Sequence, residues 1–202
     1  MTDGGARPGG ERLGPAGGRA VVVMGVSACG KTKVGIAMAR RLGAAFVDGD
    51  DLHPADNVRK MAAGVALNDD DRWPWLDRIG AMLRDREAFP GGVVLACSAL
   101  RKVYRDRIRQ AVGDDLVFVF LDVTPAEARR RIDARQGHYM PPSLLESQFR
   151  TLERPDGEPD VETLRHLDGV EAVAARAVQV LRARAREALS TRRATLPVSI
   201  DP

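Results

Sequence analysis

Cysteine is scarce in this 202-residue sequence, which contains only Cys29 and Cys97. Two cysteines provide neither a disulfide framework nor the spacing of a metal site, and both lie beside apolar runs, as expected in a reducing compartment. Long apolar runs are also missing: none reaches the ~20 residues of a transmembrane helix. The N-terminus lacks the apolar core of a secretory signal. We therefore expect a cytoplasmic protein with no membrane partner.

A strong excess of one charge is absent too. The sequence has 31 Lys and Arg residues against 28 Asp and Glu residues, and its formal net charge is +3. Because acidic residues are interspersed with the arginines, there is no basic stripe of the kind that binds nucleic acid. The basic run at 182–193 is interpreted as the solvated face of a terminal helix. We expect no nucleic-acid partner.

The length fits one domain with a sizeable core. Residues 1–19 are rich in Gly, Pro and Arg and have almost no apolar content. Such a segment cannot bury enough surface to become ordered, so we predict a disordered N-terminal tail at 1–19. A second tail is predicted at 189–202. The domain is therefore predicted at 20–188.

The segment 25–32, GVSACGKT, fits the phosphate-binding P-loop pattern G-x-x-x-x-G-K-[ST]. An apolar run at 20–24 predicts a buried strand before it, and 33–42 predicts a helix after it. In that context, backbone N–H groups and the helix dipole face an anion. Lys31 can then reach the β- and γ-phosphates, and the Thr32 hydroxyl can bind Mg²⁺. The predicted nucleotide-binding residues are Gly25, Val26, Ser27, Ala28, Cys29, Gly30, Lys31 and Thr32.

Strand and helix patterns alternate along the rest of the domain. This alternation predicts an α/β fold, with a parallel sheet and helices on both faces. Further strands are predicted at 45–47, 92–97, 116–121 and 163–167. Further helices are predicted at 55–63, 75–89, 102–112, 124–135, 143–153 and 170–188.

An acidic turn, DGDDLHP at 48–54, follows the second predicted strand. In open parallel sheets ligands bind beyond the carboxyl ends of the strands, so this turn and the P-loop face one crevice. One carboxylate of the pair Asp48 and Asp50 can hold Mg²⁺ through water, and the other can accept the proton of an attacking hydroxyl. An Asp-Gly turn that only ends the strand explains the residues equally well. By itself, His53 fits a turn or capping residue.

Two further clusters have both functional and structural interpretations. The acidic run 69–71 is interpreted as the start of a helix, and the two tryptophans near it as packing residues. After the third strand, Arg101, Lys102 and Arg105 can contact an anionic substrate group, and solvated helix charges are the alternative interpretation. Of the three, Lys102 is interpreted as a solvated helix charge.

An arginine-rich helix precedes a segment with Gly and Pro at 136–142. Arg131 and Arg135 are four residues apart and share a helix face. This pattern favours a lid that brings positive charge onto a transferring phosphate, although an exposed basic helix is the simpler alternative. Before this helix, the strand ending at Asp122 resembles a Walker B strand. We interpret Asp122 as the start of the turn into a helix capped by Thr124.

The order and spacing of these segments resemble the gluconate kinases, relatives of shikimate kinase among the nucleoside-monophosphate-kinase-like P-loop kinases. The resemblance covers about residues 20–155. It implies a three-layer fold with a five-stranded parallel sheet in the order 2-3-1-4-5, a mobile lid at about 125–153 and a homodimer. The motifs that carry it are GVSACGKT, DGDDLHPADNVRKM, LNDDDRWPWL, CSALRKVYRDRIR and GHYMPPSLLESQFRTLE.

The resemblance implies phosphorylation of D-gluconate at its 6-hydroxyl by ATP with Mg²⁺. A kinase for another small hydroxy acid such as shikimate, or a nucleotide-binding regulator without activity, remains an alternative. The metal would be held by Thr32 and Asp48. The implied catalytic residues are Lys31, Asp50, Arg131 and Arg135. The implied substrate contacts are Asp50, His53, Lys60, Arg101 and His138.

Three features depart from the family pattern. Ala28 replaces a glycine of the P-loop, and alanine is strained there if the position needs a positive φ. Cys29 replaces a serine and brings a thiol to a helix N-terminus, where thiolates are favoured. The stretch 156–168 lacks the apolar strand expected before the last helix, so we assign no adenine contacts.

Overall fold

The structure is a computed structural model that describes residues 19–85, 87–134, 142–165 and 169–194. Strands and helices alternate through these ranges, as predicted. The strands are β1 (Ala20–Met24), β2 (Ala45–Asp48), β3 (Val93–Ala96), β4 (Leu116–Asp122) and β5 (Val161–Arg165). The helices are α1 (Lys31–Leu42), α2 (Ala55–Ala62), α3 (Asp69–Arg84), α4 (Lys102–Val112), α5 (Pro125–Asp133), α6 (Pro142–Thr151) and α7 (Val170–Ala194). A 3₁₀ turn, Gly49–Leu52, follows β2.

The sheet is entirely parallel, and its strand order β2-β3-β1-β4-β5 is the predicted one. Val23 in the central strand β1 pairs with Ala96 on one side and with Val119 on the other. All five residues of β1 are buried, as in parallel sheets that are covered on both faces. The loop after β1 therefore leaves the middle of the sheet, at the edge where such folds bind ligands.

Two apolar clusters make three layers out of the sheet and its helices. Successive β1 side chains point to opposite faces, so Val21 and Val23 join the cluster that includes α1 and α7 residues. Val22 and Met24 join the cluster that includes α3 and α4 residues. No helix in the described ranges is long and apolar enough to span a membrane.

Helix α3 differs most from its predicted bounds, because it begins at Asp69 and not at residue 75. The interpretation of the acidic run 69–71 as a helix start is thus confirmed, although the predicted bounds began only after Pro74, which lacks the N–H of a helical hydrogen bond. Here Asn68 and Asp71 form a reciprocal capping box that starts the helix earlier, and Pro74 is accommodated inside it.

The last helix is longer than predicted, since α7 continues to Ala194 and not only to residue 188. The domain was predicted to end at 188 and a tail to begin at 189, so the helix extends into that segment. Strand β5 lies at 161–165 and not at 163–167, with Leu164 buried against the core. Residues 1–18 lie outside the described residues, so the predicted N-terminal tail stays a prediction.

Candidate active site

The segment 25–32 forms a loop between β1 and α1 with the geometry of a P-loop. Gly25 and Gly30 have positive φ values of 136° and 102°. The first-turn amides of α1 have no helical acceptor, so they and the positive end of the helix dipole suit a phosphate. Lys31 Nζ donates to the carbonyl oxygens of Gly25 and Val26 at 3.1 and 3.0 Å. The lysine ammonium is therefore held against the loop.

Ala28 adopts the left-handed conformation, with φ at 62°. This conformation costs a non-glycine residue roughly 1–2 kcal/mol, because Cβ crowds the following carbonyl oxygen. Strain was expected if this position needs a positive φ, and the structure confirms that it has one.

We predict that Ala28→Gly binds ATP about threefold more tightly, because glycine adopts positive φ without strain and more molecules hold a competent loop. Isothermal titration with Mg²⁺ and a non-hydrolysable ATP analogue measures this. Ala63→Gly is the control, since Ala63 has φ at −81° and lies outside the loop. Unchanged or weaker binding by Ala28→Gly would show that the loop accommodates alanine without loss.

Cys29 does not carry the thiolate that the helix N-terminus was expected to favour. Its side chain is completely buried. Burial raises the pKa of the Cys29 thiol, although the positive charges of Lys31 and Arg131 oppose this rise. The effect of the helix N-terminus, which favours a thiolate, is thus outweighed by burial, and Cys29 packs in the apolar core.

The acidic turn ends strand β2 and also contacts the P-loop. One Asp48 carboxylate oxygen accepts the Asp50 N–H at 3.2 Å and caps the 3₁₀ turn. The other accepts the Thr32 hydroxyl at 3.0 Å. The two interpretations of this turn, structural and functional, are therefore compatible.

Gly49 is required between the two aspartates by the close approach of β3. A Cβ at this position would lie 2.5 Å from the Ala96 carbonyl oxygen. On the other side, Trp75 Nε1 donates to the Gly49 carbonyl oxygen at 2.7 Å. Trp75 is buried in the core, which confirms its interpretation as a packing residue. The turn that presents Asp50 is thus fixed by backbone contacts.

Asp50 stays accessible to solvent, but the protein around it partly desolvates the carboxyl. Desolvation raises the pKa of Asp50, and the nearby negative charges of Asp48 and Asp51 raise it further. The charge of Lys31 acts in the opposite direction. Asp50, Asp48 and Lys31 therefore act on one another electrostatically in the crevice.

The Thr32 and Asp48 oxygens fit a magnesium ion. Thr32 donates its hydroxyl proton to Asp48, which leaves the hydroxyl lone pairs available to a cation. Mg²⁺ prefers such oxygen ligands and usually needs only one or two protein groups beside phosphate and water. No group of three or more His, Cys, Asp or Glu residues suited to a metal occurs within the described ranges.

Asp122 lies on the strand beside β1 but is engaged elsewhere. Both its carboxylate oxygens accept hydrogen bonds from Arg154, at 2.9 and 3.1 Å. Strand β4 ends at Asp122, and Thr124 caps α5 through a reciprocal capping box with Glu127, as predicted. The resemblance to a Walker B strand therefore does not indicate a metal ligand here.

His53 lies at the end of the acidic turn and presents a neutral ring. The ring stacks on Trp75 with centroids 4.1 Å apart, and Asn57 Nδ2 lies 3.2 Å from its Nδ1. Burial, assisted by the charge of Arg72, lowers the pKa of His53 to about 4. Since the Asn57 amide is a donor, Nδ1 is the acceptor and the ring proton is on Nε2. His53 can therefore donate one hydrogen bond from Nε2.

Each of the two cationic side chains that are predicted to contact the substrate, Lys60 and Arg101, forms an ion pair with a carboxylate of α3. Lys60 Nζ lies 2.5 Å from an Asp71 oxygen, and Arg101 Nη1 lies 2.5 Å from an Asp69 oxygen. The capping box confirms that the acidic run starts a helix. Asp71 also orients Lys60, and Asp69 also orients Arg101. The sequence did not indicate this second role of the two aspartates.

Arg72 was missed by the sequence analysis, which treated its segment only as a helix start. Its Nη1 donates to the Tyr104 hydroxyl at 3.2 Å, and that hydroxyl donates to Asp69 at 2.5 Å. The available signal was the i,i+3 spacing between Asp69 and Arg72.

Arg105 takes neither of its two expected roles, which were a contact with an anionic substrate group and a solvated helix charge. Its side chain is completely buried and forms an ion pair with Glu158 at 2.5 Å. Its Nη1 donates to the carbonyl oxygens of Ala99 and Leu100 at 3.0 and 3.2 Å. Arg105 therefore supports the loop before α4. Lys102 is exposed and pairs with Asp106, which confirms that it is a solvated helix charge.

Both helices of the predicted lid region contact the P-loop. Arg131 Nη1 on α5 donates to the Cys29 carbonyl oxygen at 3.1 Å. Gln148 on α6 accepts the Ser27 N–H at 2.6 Å and donates to Ser27 Oγ at 2.9 Å. Gln148 was not singled out from the sequence. Arg135 and His138 lie outside the described residues, so their predicted roles stay predictions.

Known proteins are similar to this chain over most of its length. A family model described as an AAA domain matches residues 21–155. A gluconokinase of Gluconobacter oxydans is 49% identical over 144 residues, which are 70% of this chain and 79% of that protein. The solved structure of a gluconokinase from Sinorhizobium meliloti has a TM-score of 0.78 and 42% identity, covering 87% of this chain and 97% of that one. A shikimate kinase from Acinetobacter baumannii, solved with shikimate, is 16% identical with a TM-score of 0.53 and shares the fold alone.

Proposed function

The chain belongs to the gluconokinase family of P-loop kinases, and on that premise we propose that it phosphorylates D-gluconate at the 6-hydroxyl. The products are 6-phospho-D-gluconate and ADP. The observation that carries this proposal is the 3.0 Å hydrogen bond from Thr32 to Asp48, which joins the phosphate loop to the acidic turn. It brings a phosphate cradle and a carboxylate pair together, as transfer to a hydroxyl requires.

On the nucleotide side, the loop 25–32 holds the phosphates of ATP. Lys31 and Arg131 supply positive charge to the transferring group, and Arg135 completes this set in the proposal. The contacts of Lys31 and Arg131 with carbonyl oxygens of the loop support these roles. Thr32 and Asp48 would hold Mg²⁺, which neutralises charge on the phosphate oxygens when bound.

On the acceptor side, Asp50 accepts the proton of the 6-hydroxyl. As that oxygen bonds to the γ-phosphorus, the bond to the β,γ-bridging oxygen breaks and ADP leaves. The raised pKa of Asp50 supports this role, because a more basic carboxylate accepts a proton more readily. The neutral His53 donates from Nε2 to a hydroxyl of the sugar acid.

The carboxylate of the sugar acid is bound by cations at the other side of the crevice. Lys60 and Arg101 take this role in the proposal, with His138 as a further contact and Arg72 beside them. Their engagement with Asp69 and Asp71 supports it, since orientation before binding lowers the entropy lost on binding. A cytoplasmic homodimer is proposed as well, on the family resemblance and the two free thiols.

We predict that gluconate stimulates ADP formation and that shikimate does not. A coupled ADP assay over a panel of sugar acids, with shikimate included, measures this directly. A shikimate-dependent rate above the gluconate-dependent rate would assign the enzyme to another acceptor. Nucleotide binding without acceptor-dependent turnover would favour a regulator.

A further inference from the structure

The two helices of the lid region hold the residues on either side of Ala28. Gln148 of α6 binds Ser27 through two hydrogen bonds, at 2.6 and 2.9 Å. Arg131 of α5 binds the Cys29 carbonyl oxygen at 3.1 Å. The residue between them, Ala28, is in the left-handed conformation that alanine disfavours. The strained residue is therefore held from outside the loop.

The Gln148 amide matches Ser27 in both donor and acceptor. Its Oε1 accepts a hydrogen bond from the backbone N–H of Ser27, and its Nε2 donates one to the Ser27 hydroxyl oxygen. A carboxylate could accept the first bond but could not donate the second. Because Oε1 binds the Ser27 N–H, Gln148 fixes the orientation of the Val26–Ser27 peptide, and its second bond holds the Ser27 side chain, directly before Ala28.

Helix α6 is anchored independently of Gln148. Two residues after α6 ends, the Glu153 N–H donates to the Leu100 carbonyl oxygen at 2.9 Å, and the Glu153 carboxylate accepts the Lys102 N–H at 2.6 Å. Leu145 of α6 is buried in the core. Loss of the Gln148 side chain should therefore release the loop while the helix stays in place.

We propose that Gln148 is a positioning residue for nucleotide binding, which holds Ser27 through its N–H and its hydroxyl so that the next residue, Ala28, keeps its left-handed conformation. The inference rests on the ATP-binding part of the proposed function. Without Gln148, the strain at Ala28 favours loop conformations that do not fit phosphate, and the apparent affinity falls with the fraction of competent molecules. The acceptor side of the crevice is not involved.

The test is a double-mutant cycle between positions 148 and 28. Isothermal titration with Mg²⁺ and a non-hydrolysable ATP analogue should give a Kd about tenfold higher for Gln148→Leu than for the wild type. In an Ala28→Gly background the same change should raise Kd less than about twofold, because glycine needs no support at positive φ. The KM for gluconate should stay constant throughout.

Three further variants sharpen the cycle. Ser27→Ala keeps the backbone N–H bond and should weaken binding less than Gln148→Leu. Gln148→Glu keeps the acceptor but adds negative charge near the phosphate site, so it should bind the analogue most weakly. Arg150→Gln, an exposed change on the same helix, should have no effect.

Wild-type Kd in Gln148→Leu, or an equal loss in the Ala28→Gly background, overturns the inference. So does a fall of several degrees in Tm together with a raised gluconate KM, because that result indicates a general structural role. The binding cycle needs no acceptor. If the wild type showed no gluconate-dependent turnover, the proposed function would be contradicted. The role of Gln148 would still be decided by the Kd values of the binding cycle.

Discussion

Replacing Lys31 with alanine should reduce phosphoryl transfer by about 10³-fold or more while the protein stays folded. The ammonium group is held at the mouth of the loop by the carbonyl oxygens of Gly25 and Val26. There it can stabilise the charge that moves onto the leaving phosphate oxygens during transfer. Alanine keeps the helical backbone but removes that charge, and no core contact is lost.

The measurement is a coupled ADP assay with gluconate, beside far-UV circular dichroism and a thermal melt. Lys33→Ala is the matched control, because Lys33 is exposed on the same turn of α1 and lies outside the loop. It should retain wild-type turnover. Near-normal turnover in Lys31→Ala would contradict the assignment of this loop as the catalytic phosphate site.

Most of the fold could be predicted from the sequence, because strand signals in a parallel sheet are local. The run 20–24 is continuously apolar, as a strand buried on both faces must be, and it forms β1 at those bounds. The acidic run 69–71 indicated a helix start, but the predicted bounds of that helix began at residue 75, because apolar periodicity becomes regular only after Pro74. Order 2-3-1-4-5 came from the family resemblance, since local patterns do not determine which strands pair.

The candidate site was predictable where chemistry lies within one short motif. Thr32, Asp48 and Lys31 belong to motifs of this kind, and the structure brings Thr32 and Asp48 together. The contact between Ser27 and Gln148 joins residues 121 positions apart. No local pattern indicates such a pair. Arg105 shows the opposite error, a residue that was assigned to the site and lies outside it. Its motif follows a strand that leads to the crevice, but its side chain is buried against Glu158.

Replacing Asp50 with asparagine should lower kcat by about 10²-fold or more, in line with the loss of a general base. Asparagine keeps the size of the side chain but cannot take the proton of the 6-hydroxyl. ATP affinity should survive, because the phosphate loop is untouched. The variant should also remain folded: a carboxyl with a raised pKa in the folded state destabilises that state when ionised, so its neutral replacement removes an unfavourable term.

The pH profile provides a second measurement on Asp50. Desolvation and the neighbouring aspartates raise the pKa of Asp50. As the pH falls, the basic carboxylate should therefore become protonated at a higher pH than an ordinary aspartate does. The acidic limb of kcat/KM for gluconate should lie above the ordinary range of an aspartate and should vanish in Asp50→Asn. Asp51→Asn is the matched control: removing a like charge should lower the pKa of Asp50 and move the limb to lower pH, with kcat nearly unchanged.

Asp48→Asn should weaken Mg²⁺ binding and should not affect proton transfer from the 6-hydroxyl. Asparagine caps helical turns about as well as aspartate, so the bond to the Asp50 N–H and the turn should persist. The lost negative charge should raise the Mg²⁺ concentration needed for half-maximal rate. Paired Mg²⁺ titrations of initial rate, with ATP affinity measured separately, distinguish the two aspartates. A shifted Mg²⁺ requirement in Asp50→Asn with reduced turnover alone in Asp48→Asn would exchange their roles. Full activity in both would make the acidic turn purely structural, because neither carboxylate would then act on the reacting groups.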